Sequence, residues 1–202
     1  MSRGKLIVVE GPDGVGKTTL SLQLVAALNQ RVAERWECFS FPGRVERTLG
    51  HLVYRVHHDP IEVVGRAVSP EAIQVLHLAA HADAIKQDIL PKLYDGTSIV
   101  LDRYWWSMYV YGIVNKASSR LLNKLVEAEQ DAWADVTPHR CFLIETERPL
   151  GTVTLSLEQW QELKRRYHQL EGDESGRYPT MIVHNADGQA EQALEAMLNL
   201  IP

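Results

Sequence analysis

The residues with the clearest chemistry form a glycine-rich turn that joins an apolar run to a Lys-Thr pair. Gly11 is followed by four residues and then by Gly16, Lys17 and Thr18, the spacing of a phosphate-binding P-loop. Backbone N–H groups of such a loop wrap phosphate oxygens, the lysine adds positive charge, and the hydroxyl is available to Mg²⁺. The apolar run before the turn and the helical pattern after it favour a nucleoside triphosphate site over an ordinary strand-turn-helix. The residues assigned to this site are Gly11, Gly14, Gly16, Lys17, Thr18 and Thr19.

A carboxylate and three arginines stand where the other half of such a site would lie. Asp102 ends a β-branched apolar run, and a carboxylate at the end of a central strand reaches Mg²⁺ beside a P-loop. Arg103 follows Asp102 directly. A structural salt bridge between Asp102 and Arg103 is the alternative interpretation, but a nucleotide bound at a P-loop needs this carboxylate near Mg²⁺, which disfavours that alternative. Arg44 and Arg47 follow the strand pattern Trp36–Phe41, at the end that faces a ligand in a parallel sheet. Taken alone, these two are equally well explained as solvated surface arginines.

Two histidine pairs raise the question of a metal site. His57 and His58 are adjacent, so their side chains point in different directions, and no further ligand lies near them in sequence. His77 and His81 lie four residues apart on one face of a helical pattern. The run His-Leu-Ala-Ala-His lacks the glutamate of a zinc-protease motif. We therefore expect no metal centre at either pair, and we expect His77 and His81 to be packed or cavity-lining side chains.

Strand and helix patterns alternate along the whole chain. Ser69 and Pro70 form a helix start, and we expect that helix to end at Pro91. Alternating strands and helices favour a doubly wound parallel sheet, so we assign residues 1–202 to one α/β domain. The predicted strands are Lys5–Glu10, Trp36–Phe41, Ser98–Asp102, Arg140–Glu145 and Thr180–His184. The predicted helices are Lys17–Gln30, Glu46–His57, Ser69–Leu90, Ala117–Trp133, Glu158–Leu170 and Gly188–Leu200.

Composition limits the partners and the compartment that we expect. With 202 residues, of which 45% are hydrophobic, the chain is long enough for a sizeable core. Its formal net charge of -5 disfavours non-specific binding to a polyanionic duplex, so a nucleic-acid partner is not expected. Cys38 and Cys141 have no CxxC partner, which indicates free thiols in a reducing compartment. Because no apolar run approaches the roughly 18 residues of a membrane span and no signal peptide is expected, we predict no membrane partner and a cytoplasmic location.

Three motifs, in order over most of the chain, resemble the thymidylate kinase family of nucleoside monophosphate kinases. They are the P-loop 11–19 with its internal acid, the segment Phe41–Arg44, and Asp102–Tyr104 followed by Ser107. The resemblance implies a P-loop NTPase fold whose five-stranded parallel sheet is flanked by helices. It also implies that ATP and Mg²⁺ bind at the P-loop, opposite a nucleoside monophosphate that accepts the γ-phosphoryl group.

The same resemblance implies roles for single residues. Asp13 approaches the acceptor sugar, Arg44 and Arg103 bind the acceptor phosphate, and Thr18 and Asp102 hold Mg²⁺. Phosphoryl transfer agrees with these roles, because it needs two phosphates held in line with their charge neutralised. The residues assigned to the acceptor site are Asp13, Phe41, Arg44, His77, His81, Arg103, Ser107 and Tyr111. Those assigned to catalysis are Asp13, Lys17, Arg44, Arg103 and Arg148.

Two positions depart from the family pattern. Family members present a phenylalanine that stacks on thymine and, one turn later, an arginine that reaches its carbonyl; His77 and His81 stand at those places here. The family's catalytic arginine lies either in the P-loop, where this chain has Gly14, or in a lid, here the short segment 147–157. Arg148 is our prediction for the lid arginine. The alternatives, Arg165 and Arg166, lie in the next helix.

These features support three functional hypotheses. The first is ATP-dependent phosphorylation of a pyrimidine deoxynucleoside monophosphate, with dTMP as the first substrate to test. The changed histidines motivate a kinase for a modified pyrimidine nucleotide, free or within DNA, although the acidic charge argues against DNA. The short lid motivates a nucleotide-binding module without turnover.

The resemblance also implies a homodimer through the helices that follow strands two and three. An apolar set on this part of the chain either forms that subunit interface or belongs to the core of one subunit. The residues of this set are Leu76, Ala80, Ala84 and the tryptophans.

Overall fold

Five short parallel strands form the centre of the protein, whose computed structural model describes residues 3–187 and 189–201. The sheet order is β2-β3-β1-β4-β5, and every neighbouring pair is parallel. The predicted strands and the parallel α/β sheet are confirmed, with one strand starting and one ending a residue differently. The strands are β1 (Leu6–Glu10), β2 (Trp36–Ser40), β3 (Ser98–Asp102), β4 (Arg140–Glu145) and β5 (Thr180–His184).

Helices cover both faces of the sheet and bury one core on each. Because side chains alternate along a strand, Ile7 and Val9 of β1 pack into one core while Leu6 and Val8 pack into the other. Among the described residues, no helix is both long enough and apolar enough to cross a membrane. The helices are α1 (Lys17–Arg31), α2 (Leu49–His58), α3 (Pro60–Val64), α4 (Pro70–Ala84), α5 (Leu90–Tyr94), α6 (Trp105–Val114), α7 (Ser119–Ala132), α8 (Leu157–Glu174) and α9 (Ala190–Leu198).

The long helix that begins with α4 does not end where the sequence predicted. We expected it to end at Pro91, because proline lacks an N–H and its ring clashes with the preceding helical turn. Instead, a π-helical turn, Ile85–Ile89, connects α4 to α5, and the helix continues to Tyr94. In this turn the Leu90 N–H donates to the Ile85 carbonyl, a wider spacing than in an α-helix. The widened turn lies directly before the proline and lets the helical path continue.

Other boundaries moved by a few residues. The aromatic stretch 104–111, to which no element was assigned, begins helix α6, and α8 extends four residues beyond the predicted Leu170. The second helix starts at Leu49 rather than Glu46, since Thr48 accepts a hydrogen bond from the His51 N–H and caps it there. The predicted start of the last helix, Gly188, lies outside the described residues.

The apolar residues considered for a subunit interface mostly lie inside this fold. Ala80 and the five tryptophans are buried, and Ala84 packs against the core from a partly buried position. The core interpretation therefore applies to them, whereas Leu76 is half-buried. The large apolar side chains that remain exposed on α2, α3 and α4 are Leu52, Ile61, Val64 and Val75.

The carboxyl ends of the inner strands meet at one edge of the sheet. In the register, Asp102 at the end of β3 lies beside Val9 of β1 and Ser40 of β2. The chain leaves β1 at Glu10 and turns into the P-loop at the same edge. In doubly wound sheets this edge is where ligands bind, so the strand ends position the residues with chemistry.

Candidate active site

A cavity of about 490 Å³ lies at the carboxyl ends of β1, β2 and β3 and is lined by most of the predicted site residues. It connects the P-loop with the segment after β2 and with helix α4. The predicted residues that line it are Asp13, Gly14, Gly16, Lys17, Thr18, Thr19, Phe41, Arg44, His77, His81, Asp102, Arg103, Ser107 and Tyr111. The predicted residues that do not line it are Gly11, Arg47 and Arg148.

The P-loop presents an unblocked helix N-terminus to this cavity. Gly16 precedes α1 in a left-handed conformation with φ of 87° and, because it has no side chain, it does not cap the helix. A Cβ atom at Gly16 would lie 2.5 Å from Asn185 Nδ2, an atom that donates to the Val15 carbonyl. Glycine is therefore required here by both conformation and space. The N–H groups of the first helical turn remain available for an anion.

Lys17 supplies a positive charge at the floor of the cavity. Its ammonium group donates to the Pro12 carbonyl at 2.7 Å. Burial, followed by the charge of Arg103, lowers the pKa of Lys17 to about 8, although nearby carboxylates oppose this shift. A bound phosphate would favour the charged form, because an opposite charge within a few ångströms stabilises it.

Thr18 and Asp102 form an oxygen-donor pair beside the P-loop. The Thr18 hydroxyl donates to Asp102 Oδ2 at 2.6 Å, while the buried Oδ1 has no partner among the described residues. Hydroxyl and carboxylate oxygens are the ligands that Mg²⁺ prefers, and it usually completes its shell with substrate phosphates and water. The two residues fit this ion. Within the described ranges, no group of three or more His, Cys, Asp and Glu side chains has the arrangement to hold a metal.

Arg103, directly after β3, contacts the P-loop that follows β1. It has φ of 78°, a left-handed conformation that is uncommon for a residue with a side chain. Its guanidinium forms an ion pair with Asp13, donates to Ser107 Oγ at 3.1 Å and lies 5.6 Å from the Tyr111 ring centroid. The Tyr111 hydroxyl in turn accepts from the Asp13 N–H at 3.0 Å. These contacts bring four predicted site residues into one network.

The charges in this network keep Asp13 ionised. Burial by itself would raise the pKa of Asp13. The charges of Arg103 and Lys17 outweigh burial and lower that pKa to about 2. Asp13 therefore accepts hydrogen bonds as a carboxylate throughout the neutral range.

Glu10, which sequence reasoning did not assign, holds the segment that carries Arg103. This fully buried carboxylate accepts hydrogen bonds from the Tyr104 N–H at 2.7 Å, the Ser107 N–H at 3.0 Å and the Ser107 hydroxyl at 2.7 Å. Burial raises its pKa, whereas these donors and Arg103 lower it. A glutamate that ends an otherwise apolar strand pattern was the available signal. Its partners lie more than 90 residues away, so the sequence could not name them.

Arg44 and an aromatic wall close the cavity opposite the P-loop. The Arg44 guanidinium lies over the Tyr54 ring, 4.8 Å from its centroid, and Tyr54 stacks on His58. His57 Nδ1 lies 2.9 Å from His77 Nε2, which joins α2 to α4. Tyr54, His57 and His58 all line the cavity although only Arg44 and His77 were predicted. The adjacent pair of His57 and His58 was noted in the sequence, but only the packing of α2 against α4 places it beside Arg44 and His77.

His81 faces the cavity from a buried position between two partners. Its ring stacks on Phe41 with centroids 4.0 Å apart, and its Nδ1 lies 2.8 Å from Glu129 Oε2. Both members of this hydrogen-bonded pair are buried, so each provides the other with a polar partner that water cannot supply there. Glu129, on α7, was not predicted, because it is separated from His81 by 48 residues.

The predicted lid, residues 147–157, lies against the P-loop. It contains neither helix nor strand up to the start of α8, and the Leu150 N–H donates to the Gly14 carbonyl at 2.8 Å. Thr152, Val153 and Thr154 line the cavity. Arg148 is exposed and lies outside the cavity lining. The alternatives, Arg165 and Arg166, both pair with Glu162 on the exposed side of α8.

Comparisons with known proteins agree with this architecture. The family model for thymidylate kinase matches residues 9–171. Probable thymidylate kinases of Pyrococcus horikoshii and Pyrococcus abyssi are 33% and 30% identical over 109 residues, which are 54% of this chain and 52% of each relative. The chain thus spans about half the length of the curated relatives that it matches.

Solved structures show the same fold over nearly the whole chain. The thymidylate kinase of Ehrlichia chaffeensis superposes with a TM-score of 0.77 and 16% identity, covering 99% of this chain and 100% of the other. That of Candida albicans superposes with a TM-score of 0.74 and 20% identity, covering 100% and 92%. Together with the family match over residues 9–171, this extends the resemblance seen in the motifs to most of the chain. The chain belongs to the thymidylate kinase family.

Proposed function

We propose that this chain transfers the γ-phosphoryl group of ATP to a pyrimidine deoxynucleoside monophosphate, with dTMP as its first substrate. The observation that carries the proposal is the single cavity that contains both the P-loop and Arg44, Arg103 and His77. The P-loop suits a triphosphate donor, and the arginines and histidines suit the phosphate and base of an acceptor. Membership of the thymidylate kinase family supports both assignments.

The donor half holds ATP through backbone and charge. The first-turn N–H groups of α1 and the Lys17 ammonium bind the phosphates. Thr18 and Asp102 would hold Mg²⁺, which when bound neutralises developing charge on the phosphates. Arg103 and Asp13 lie at the inner end of this half, where the acceptor meets the donor.

The acceptor half positions the nucleophile. A phosphate oxygen of the monophosphate bonds to the γ-phosphorus of ATP, and the bond from that phosphorus to the β–γ bridging oxygen breaks, so ADP leaves. Arg44 and Arg103 neutralise the two like-charged phosphates, because a guanidinium fork binds phosphate through two hydrogen bonds. Asp13, ionised at neutral pH, accepts a hydrogen bond from the acceptor sugar.

Arg148 is our proposal for the lid arginine of the transition state. The support is its place in the segment that contacts the P-loop, two residues before the Leu150 N–H that donates to Gly14. The competing arginines of α8 both pair with Glu162, Arg165 through a 3.0 Å hydrogen bond from Nε and Arg166 through one of 2.7 Å, which favours Arg148.

A panel of monophosphates tests the proposed reaction. The protein is incubated with ATP, Mg²⁺ and each of dTMP, dUMP, dCMP, 5-hydroxymethyl-dUMP, dGMP and AMP, and products are identified by mass. We expect dTDP and ADP in equal amounts from dTMP, and far slower formation of dTDP by the matched Lys17→Met variant. Preference for the modified nucleotide would replace dTMP as the substrate. ATP binding without ADP from any acceptor would overturn the kinase assignment.

We also propose that residues 1–202 form one domain, that the protein is a homodimer and that it acts in the cytoplasm. The dimer is supported by the exposed apolar side chains of Leu52, Ile61, Val64 and Val75 on three helices, rather than by the buried tryptophans. Sedimentation of the protein and of an Ile61→Asp variant tests it. We expect a dimer that the variant shifts to monomer, and a monomeric parent protein would contradict it.

A further inference from the structure

The pair formed by His57 and His77 is a hydrogen bond between two groups that can each donate or accept. His57 Nδ1 and His77 Nε2 lie 2.9 Å apart, so one ring must carry the shared proton and the other must accept it. His57 lies on α2 and His77 on α4, and both line the cavity beside the acceptor-phosphate arginine. The second ring nitrogens, His57 Nε2 and His77 Nδ1, have no hydrogen-bond partner within residues 3–187 and 189–201.

The position of the shared proton determines whether each outer nitrogen, His57 Nε2 or His77 Nδ1, donates or accepts a hydrogen bond. If His57 donates, its Nε2 is an acceptor and His77 Nδ1 carries a proton; if His77 donates, the two outer roles are exchanged. A neutral pair therefore always has one outer donor and one outer acceptor, which lie on the far sides of the two rings, so that a base edge meets one of them at a time. Exchange of the tautomers inverts their order without moving any side chain.

The surroundings favour the neutral pair. Burial, with smaller contributions from His58 and Arg103, lowers the pKa of His57, while Asp13 opposes this shift. Burial, followed by His81, His57, Arg103 and His58, lowers the pKa of His77 well below its usual range. Both rings are therefore uncharged at neutral pH, the state in which the pair is complementary to a base edge rather than to an anion.

Pyrimidine bases differ at the edge that such a pair can read. A 4-oxo base such as thymine presents an acceptor at O4 and a donor at N3, whereas a 4-amino base such as cytosine presents a donor at N4 and an acceptor at N3. The two patterns are inverses of each other. At position 4 the required partner is a donor for thymine and an acceptor for cytosine, and one outer nitrogen of the histidine pair can be either, depending on the tautomer.

We propose that the His57–His77 pair reads the acceptor base and that its exchangeable tautomers allow the site to accept both 4-oxo and 4-amino pyrimidine deoxynucleoside monophosphates. The inference rests on the proposed kinase function and narrows its substrate class. A site with fixed donors and acceptors rejects the mismatched base by about 10⁴-fold, because a buried polar group is left unpaired. An invertible pair removes that penalty.

Steady-state kinetics with dTMP and dCMP test the substrate class. We expect kcat/KM values within about 100-fold of each other for the parent protein, far less than the discrimination of a fixed site. His57→Phe keeps a ring but removes the shared proton, and we expect it to widen the ratio at least about tenfold. His57→Asn retains an amide that can turn to donate or accept, so its ratio stays within about threefold of the parent. His51→Phe, in the same helix but outside the cavity lining, serves as the control.

Nitrogen NMR of the imidazole rings gives a readout that does not depend on turnover. With ¹⁵N-labelled histidine, we expect His77 to carry its proton on different ring nitrogens in the dTMP and dCMP complexes of the parent protein. The same tautomer in both complexes would overturn the proposal, as would an unchanged substrate ratio in His57→Phe. Turnover of dTMP without dCMP overturns this inference and leaves the kinase function standing, whereas turnover of neither overturns the function itself.

Discussion

The two halves of the cavity are built in different ways. The donor half consists of backbone N–H groups, Lys17 and a strand-end carboxylate, Asp102, whose positions follow from the strand-turn-helix path and the parallel register. The base end consists of side chains from different helices, with His57 from α2 paired to His77 from α4. The first design requires particular residues, because in the proposed function the backbone itself would bind the phosphate. The second tolerates substitution, since several side chains can recognise the same base edge.

The largest effect should come from the donor half. We expect Lys17→Met to lower kcat/KM for dTMP by about 10³-fold, because it removes a charge that is placed before the reaction begins. The free energy of unfolding should change little. A loss that is confined to KM for dTMP would place Lys17 in the acceptor half and break the comparison.

The base end contains a buried hydrogen-bonded pair, His81 and Glu129. Glu129→Ala leaves the buried His81 Nδ1 without its partner, so we expect the free energy of unfolding to fall by about 2 kcal/mol. Urea denaturation measures this change. Glu127→Ala, exposed on the same helix, is the matched control and should stay within about 0.5 kcal/mol of the parent. Equal values for the two variants would show that His81 does not require Glu129.

The lid segment 147–157 contains one arginine, Arg148, which we propose for the transition state. We expect Arg148→Ala to lower kcat by about 10²-fold with little change in KM for dTMP, because its charge acts in the transition state. Arg165→Ala should stay within about threefold of the parent in the same assay, since Glu162 holds that side chain. A large loss in Arg165→Ala alone would transfer the role to α8.

The smallest effect concerns the charge of Asp13 at the junction of the halves. The pKa of Asp13 is lowered from 3.8 to about 2. The ionised carboxylate therefore stabilises the fold above about pH 4, and this stabilisation is lost as the pH falls from about 4 to about 2. We expect Asp13→Asn to have a lower Tm than the parent at pH 7 and a nearly equal Tm at about pH 2. Because the carboxylate is 45% exposed, the difference at neutral pH should be below about 1 kcal/mol. A difference that grows on acidification would contradict this assignment.

Much of the fold was predictable because its signals are local. The five strands follow from short apolar runs bounded by turn residues, and all five lie where these runs placed them. The predicted end of the long helix was wrong. The rule that proline stops a helix does not account for a π-helical turn shortly before the proline. The order of the strands in the sheet was not predicted, since it depends on pairing between distant segments.

The candidate site also contains residues that local spacing predicts and residues that only contacts between distant segments reveal. The P-loop and the Asp102–Arg103 pair were recognisable by spacing, and the structure brings them together through the Thr18–Asp102 and Arg103–Asp13 contacts. Sequence reasoning missed Glu10 and the residues of the aromatic wall. A buried carboxylate becomes meaningful only when its donors are known, and those of Glu10 come from a segment more than 90 residues away.

The sequence by itself determined the phosphate cradle, the five strands and the residues that stand at the strand ends. These features depend on local propensity, on glycine at positions that a side chain cannot occupy, and on the alternation of strand and helix. Only the tertiary structure decided that His77 pairs with His57, that His81 pairs with Glu129, and that the lid rests on Gly14. Those contacts join residues from different elements, and their geometry follows from helix packing rather than from the spacing of residues along the chain.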